Sequence, residues 1–212
     1  MLPQADSLII LDFETTGLSP NLGDRAIEIG AVKIESGQVV DTFQELMDPG
    51  FLISSFIQGY TGITNSMLKG SRSCSTVMYE FADFIRGSNL VAHNASFDKR
   101  FLEHELELVS SPHTGGEFAC SLLLARRIYP NAPSHKLGEL ITYKNIPAKD
   151  GFHRALFDAE MTAKLWLKMI EDIKIEYQLA EVPFKLIMRI CKAPKGSIGK
   201  VIEKWIRVHV NG

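Results

Sequence analysis

No stretch of this chain approaches the ~18 consecutive apolar residues that a membrane-spanning helix requires. Cysteine is scarce. Cys74, Cys120 and Cys191 are odd in number and far apart, which argues against a disulfide frame or a zinc site and suggests reduced thiols in a cytoplasmic protein. The N-terminus, Met1 to Asp6, lacks the basic segment and cleavage site of a secretory leader. Internal repeats, low-complexity runs and linkers rich in Gly, Pro, Ser or Gln are missing as well.

Net charge is nearly absent too, at −2, but that figure hides an asymmetry. Residues 185–212 hold seven basic side chains against the single acid Glu203, or +6, which leaves −8 on the rest. An acidic body with a basic tail fits a metal-dependent enzyme that holds a polyanion. A purely solvated tail fits the same numbers.

What is present suits one sizeable domain: 212 residues, 45% hydrophobic and 23% charged. The apolar run Leu8 to Leu11 reads as a buried strand, followed by a turn-rich loop from Gly17 to Asp24. Ala26–Ile34 and Val39–Met47 alternate around a Ser36-Gly37 hairpin turn, so three antiparallel strands in sequence order are expected. Helical spacing then takes over. Val77, Phe81, Phe84 and Ile85 form one stripe, with Ser73 or Ser75 as cap and Gly87 as stop. A short strand at Asn89–Ala92 precedes a helix bearing Phe97 to Leu108, and Glu117–Cys120 reads as a fifth strand. Further helices are expected over 122–128, 136–143 and 155–173. Strand–helix–strand order implies a right-handed parallel crossover. The expected fold is α/β, a mixed five-stranded sheet flanked by helices, with a domain over 1–175 and a basic appendage over 176–212.

Two carboxylates end the first strand. Asp12 and Glu14 are two residues apart, so both project to one face. Like charges this close beside an apolar strand raise at least one pKa, and they stay ionised together cheaply only when cations are shared between them. An Asp-x-Glu at a strand end also suits a turn, here ahead of Thr15, Thr16 and Gly17, so the pair alone leaves both readings open.

Three further residues complete a site. Asp98 falls in the first turn after the strand ending at Ala92, where Asn94 or Ser96 is the expected cap; a helix-dipole acid is the alternative reading. Asp158 sits near the start of the last long helix, with His153 five residues earlier. On an ideal helix these two would stand some 140° apart, so His153 is expected on the entry loop beside Gly151. Competing chemistries fail. Lys195 to Lys200 has too short a glycine spacing for a P-loop, His104-Glu105 lacks a zincin's second histidine, and no Gly-x-Ser-x-Gly elbow occurs.

Asp12-Phe13-Glu14-Thr15-Thr16-Gly17-Leu18, His93-Asn94-Ala95-Ser96-Phe97-Asp98 and His153-Arg154-Ala155-Leu156-Phe157-Asp158 closely resemble the three motifs of the DEDDh group of 3′→5′ exonucleases. That group includes the epsilon proofreading subunit of bacterial DNA polymerase III and exonuclease X, and the resemblance covers about residues 7–170. It implies a ribonuclease H-like fold and release of mononucleotides from single-stranded DNA or RNA 3′ ends with two Mg²⁺ or Mn²⁺ ions. Asp12, Glu14, Asp98 and Asp158 would hold the metals, with Asp12 bridging both and His153 taking the proton of the attacking water. Hard oxygen ligands suit Mg²⁺ or Mn²⁺ better than zinc, and an imidazole pKa near 6.5 suits a base at neutral pH. Substrate contacts would come from Thr15, Thr16, Leu18, Ile63, Asn94 and Phe97. In Thr61-Gly62-Ile63-Thr64, Thr61 stands where some members carry histidine. A polymerase subunit is a further implied partner, although the missing linker favours a free-standing monomer or homodimer.

Overall fold

The protein is described here as a computed structural model, which covers residues 2–111, 116–148 and 154–209. Its strands are β1 (Leu8–Thr15), β2 (Ala26–Glu35), β3 (Gln38–Asp48), β4 (Arg72–Ser73), β5 (Leu90–Ala92) and β6 (Phe118–Cys120). Its helices are α1 (Ser55–Thr61), α2 (Asn65–Leu68), α3 (Cys74–Phe84), α4 (Ser96–Leu108), α5 (Ser121–Ile128), α6 (Leu137–Tyr143), α7 (Ala155–Tyr177), α8 (Phe184–Lys192) and α9 (Ile198–His209).

The strands form one sheet in the order β4-β3-β2-β1-β5-β6. β1, β2 and β3 run antiparallel in sequence order, and β5 and β6 continue the sheet parallel to β1. The hairpin turns at Ser36 and Gly37, both with positive φ, the conformation that matches the twist of a two-residue hairpin. The sixth strand, β4, is two residues long and extends the five-stranded expectation at the β3 edge.

β1 is central and buried on both faces. Leu8 and Ile10 pack into a core formed with α5, α7, α8 and α9, whereas Ile9, Leu11 and Phe13 face α3 and α4. Strand alternation therefore places Asp12 and Glu14 on the α7 side of the sheet. A third, smaller cluster joins Ile27 to Ile53, Ile57, Ile63 and Leu68 of the α1–α2 segment.

Ser73 caps α3 by accepting the Thr76 N–H, and Ser54 and Thr64 cap α1 and α2 in the same way. α4 departs from expectation, since Ala95 holds the cap position with no side-chain bond. Asn94 instead takes φ 67° and its carbonyl accepts the Phe97 N–H. The sequence reading also missed α1, α2 and α8. Pro183 occupies the N-cap of α8, where the absence of an N–H costs nothing. Val201 to Val208 lies in α9. Phe184, Leu186, Ile187, Ile190, Ile202 and Trp205 of α8 and α9 are buried in the same core as Trp166 of α7.

Candidate active site

The C-terminal ends of β1 and β5, the first turns of α4 and α7, and one side of α1 enclose a cleft of about 640 Å³. Asp12, Glu14, Asp98 and Asp158 all line it. β1 delivers Asp12 and Glu14 to one face, and α7 brings Asp158 over that face. One ligand oxygen from each of these three lies within 4.8 Å of the other two. Asp98 arrives from the other side of the sheet. It is buried, and its Oδ1 accepts the Phe13 N–H at 3.2 Å, which ties α4 to β1 between the two strand acids.

Burial and mutual repulsion hold Asp12, Glu14 and Asp98 against ionisation. Desolvation is the main cause for Asp12, whose pKa stands well above its usual value, and the charges of Asp98, Asp158 and Glu14 add to it. Glu14 is pushed up to about 8, again mainly by burial and then by Asp158 and Glu28. Burial raises Asp98 to about 7 against the Phe13 N–H bond that pulls it down. An oxygen-only donor set, buried at Glu14 and Asp98 and half-buried at Asp12 and Asp158, with no lysine among the residues lining the cleft, fits divalent cations, which would replace the protons that Asp12, Glu14 and Asp98 otherwise retain.

The placement of Asp158 depends on residues that carry no motif. Gly30 stands opposite Asp12 in the β1–β2 register. A Cβ there would lie 2.1 Å from the Leu156 nitrogen and 2.2 Å from the Ala155 carbonyl carbon, so only glycine lets α7 begin this close to β2. Glu28, opposite Glu14 and fully buried, fixes the same turn. It accepts the Ala155 N–H at 3.1 Å and a forked bond from Arg154, with Nη2 at 2.7 Å and Nε at 3.1 Å. Arg154 thereby sits near enough to Glu14 to favour its ionised form. A similar fork joins Arg25 to the buried Glu105 of α4, whose Oε1 also accepts the Ala26 N–H. The only sequence signal for Glu28 is an acid inside the apolar run Ala26 to Val32, and Gly30 gave none.

The remaining expected residues divide. Thr15, Thr16, Leu18 and Phe97 line the cleft. The Thr15 hydroxyl donates to the Gly17 carbonyl, and the Thr16 oxygen accepts the Arg25 N–H, so both also shape the loop. Ile63 is fully buried against Ile27, Ile53 and Ile57, and Thr61 takes the cleft position instead. Asn94 is exposed on its turn and is not among the cleft-lining residues. His153 lies outside the described residues. The cleft adds residues that the sequence reading did not single out. Phe56 and Tyr60 stand one turn apart on α1, 75% and 56% exposed, with their rings stacked at 6.2 Å. Leu18, 75% exposed, lines the same cleft. His93 also lines it, and its Nδ1 and Nε2 meet the Ser121 hydroxyl and the His135 carbonyl. A neutral ring with the proton on Nε2 satisfies both bonds, and burial lowers its pKa to about 4.

The sequence profile of the RNase_T family, described as exonuclease, matches residues 9–166. Among curated proteins, the chain is 40% identical over 165 residues to a PolC-type DNA polymerase III of Listeria innocua, covering 78% of the chain and 11% of that protein. It is 40% identical over 169 residues to the PolC-type enzyme of Thermotoga petrophila, covering 79% and 12%. The chain thus spans about a ninth of the length of these relatives. Among solved structures, exonuclease X in complex with 5′ overhanging duplex DNA superposes with a TM-score of 0.66 at 28% identity, covering 87% of this chain and 99% of that one. The nuclease domain of 3′hExo, a DEDDh family member bound to rAMP, shares the fold at a TM-score of 0.69 and 21% identity, covering 79% and 92%. The chain belongs to the RNase_T exonuclease family.

Proposed function

We propose that this chain removes 5′-mononucleotides from single-stranded 3′ ends of DNA by metal-dependent hydrolysis. The observation that carries the reading is the meeting of Asp12, Glu14 and Asp158 oxygens within 4.8 Å, beside a buried Asp98, in one cleft. Asp12, Glu14, Asp98 and Asp158 would hold two Mg²⁺ or Mn²⁺ ions. Bound there, such ions supply Lewis-acid chemistry, acidifying water and offsetting charge on the phosphate. His153, two residues before α7 in the sequence, would take the proton of the attacking water. Phe56, Tyr60, Leu18 and Phe97 offer apolar surface for unpaired bases, which favours a single strand over a stacked duplex end. DNA is the preferred polymer because the relatives above 25% identity are a DNA polymerase and an exonuclease bound to DNA. Exonuclease chemistry resides in residues 1–175, with 176–212 as a basic appendage. The three free thiols accord with a cytoplasmic setting.

Asp12→Ala and Asp158→Asn test the reading. Each purified variant is expected to keep its fold and lose Mg²⁺-dependent mononucleotide release from 5′-labelled single strands; full activity in either would overturn it. His153→Ala should slow the chemical step far more than it weakens metal binding. A labelled RNA strand run in parallel decides the polymer.

A second reading rests on the PolC-type relatives: the chain acts as a proofreading module beside a DNA polymerase. Co-purification with a polymerase catalytic subunit is the expected outcome under that reading. A monodisperse, fully active monomer or homodimer that ignores the polymerase would exclude it.

A further inference from the structure

We infer that α8 carries a second nucleic-acid contact, a basic pocket that holds the phosphate backbone of the strand whose 3′ end lies in the cleft. The segment that forms it, α8 and α9, falls outside the 9–166 span of the family profile. Lys185, Arg189 and Lys192 follow one another at four and three residues, which on a helix places all three within an arc of about 60°. Phe184, Ile187 and Ile190 commit the opposite face to the core, so these cations face outward by necessity. Together with Trp205 and His209 of α9 and the exposed Glu117, they line a depression of about 330 Å³.

The pocket has a built floor. Trp205 is buried by packing against the core, His209 stacks on it at 3.9 Å with 8° between the rings, and the Arg189 guanidinium lies 4.9 Å from the indole centroid. Among the described residues, none of Lys185, Arg189 or Lys192 joins an ion pair. The lone lining acid, Glu117, leaves the pocket with a surplus of positive charge. Three cations along one outward helix face form a groove that can track a phosphate backbone.

Charge also selects the occupant. Outside residues 185–212 the chain carries −8, and its cleft is lined by four carboxylates, so the body repels a polyanion. The compensating +6 is collected on the C-terminal segment. α8 flanks β6, where the Cys191 thiol meets the Cys120 carbonyl at 3.7 Å, and the next residue, Ser121, bonds His93 on the cleft wall.

This inference rests on the exonuclease reading only for the identity of the polyanion. Its test is the full chain carrying Lys185→Gln, Arg189→Gln and Lys192→Gln together, compared with wild type in two assays. Fluorescence anisotropy with a 20-nucleotide single strand in EDTA, titrated with KCl, reports the pocket; hydrolysis of a dinucleotide with Mg²⁺ reports the cleft. The expected result is at least tenfold weaker binding of the 20-mer and a salt slope shallower by about 2, at ~0.7 per lost phosphate contact, with dinucleotide turnover unchanged. An unchanged slope and affinity overturn the pocket, including the case in which the patch serves an acidic protein instead. Wild-type protein that binds the 20-mer with the expected slope yet leaves the dinucleotide intact would sink the exonuclease reading and spare the pocket.

Discussion

Gly30→Ala places one methyl group between β2 and the first turn of α7. The new Cβ would stand 2.1 Å from the Leu156 nitrogen and 2.4 Å from its Cα, both backbone atoms that cannot rotate aside. Ordinary contact begins near 3.4 Å, so the start of α7 must retreat by roughly 1.3 Å. That retreat pulls the Ala155 N–H, now 3.1 Å from Glu28, beyond hydrogen-bond reach and loosens the Arg154 fork. Overpacking costs about 1–3 kcal/mol, and weakened bonds to a buried carboxylate add about 1.5–3 kcal/mol. At about 2–4 °C per kcal/mol for a chain of this size, Tm should fall by roughly 5–24 °C. Asp158 moves with its helix, and a displacement near 1 Å at a catalytic group costs about 10²-fold in rate. Thermal unfolding and single-turnover nucleotide release measure the two effects. Gly59→Ala is the control, since its Cβ enters open space on α1. The reasoning is refuted if Gly30→Ala keeps Tm within about 2 °C and turnover within threefold of wild type.

Other perturbations probe the same site. Glu14 and Asp98 have folded pKa values of about 8 and 7, above those of unfolded carboxylates, so the folded protein binds more protons than the unfolded chain between these limits. Stability of the metal-free protein is therefore full below about pH 4.5 as regards these groups and declines as pH rises toward 8. Mn²⁺ replaces the protons, so its Tm increment should be larger at pH 8 than at pH 5 by at least about 5 °C; equal increments would refute the linkage. Arg154→Ala leaves Glu28 buried with its main cation removed. A loss of about 2–3 kcal/mol is expected in urea titrations, discounted from a fully buried pair because the Arg154 side chain is partly exposed. Phe56→Ala should raise KM for single strands about 5- to 160-fold, the equivalent of about 1–3 kcal/mol of stacking, with little change in kcat. A matched loss in kcat would instead place Phe56 at the reacting phosphate.

Much of the architecture was legible because it is written locally. Alternation marked β1 to β3, turn chemistry marked Ser36-Gly37, and the apolar stripe of α3 ended where a serine cap and a glycine stop predicted. α8 was not legible, since Pro183 reads as a break until its place at a helix N-cap is seen. Ile63, expected as a substrate contact, is buried in the core for a related reason. The stretch is local, but which of its residues faces the cleft depends on the core into which Ile27 and Ile57 draw it.

Four carboxylates in three short motifs were determined by the sequence alone, because each motif couples an acid to the strand end or first helical turn that carries it. Only the tertiary structure decided that Asp12, Glu14 and Asp158 meet, since that depends on how closely α7 approaches β2. Gly30 supplies the space, and Glu28 holds the helix there through Arg154 and the Ala155 N–H. None of these residues announces its role in a linear reading. Their chemistry exists only where elements some 125 residues apart are pressed within a hydrogen bond of each other.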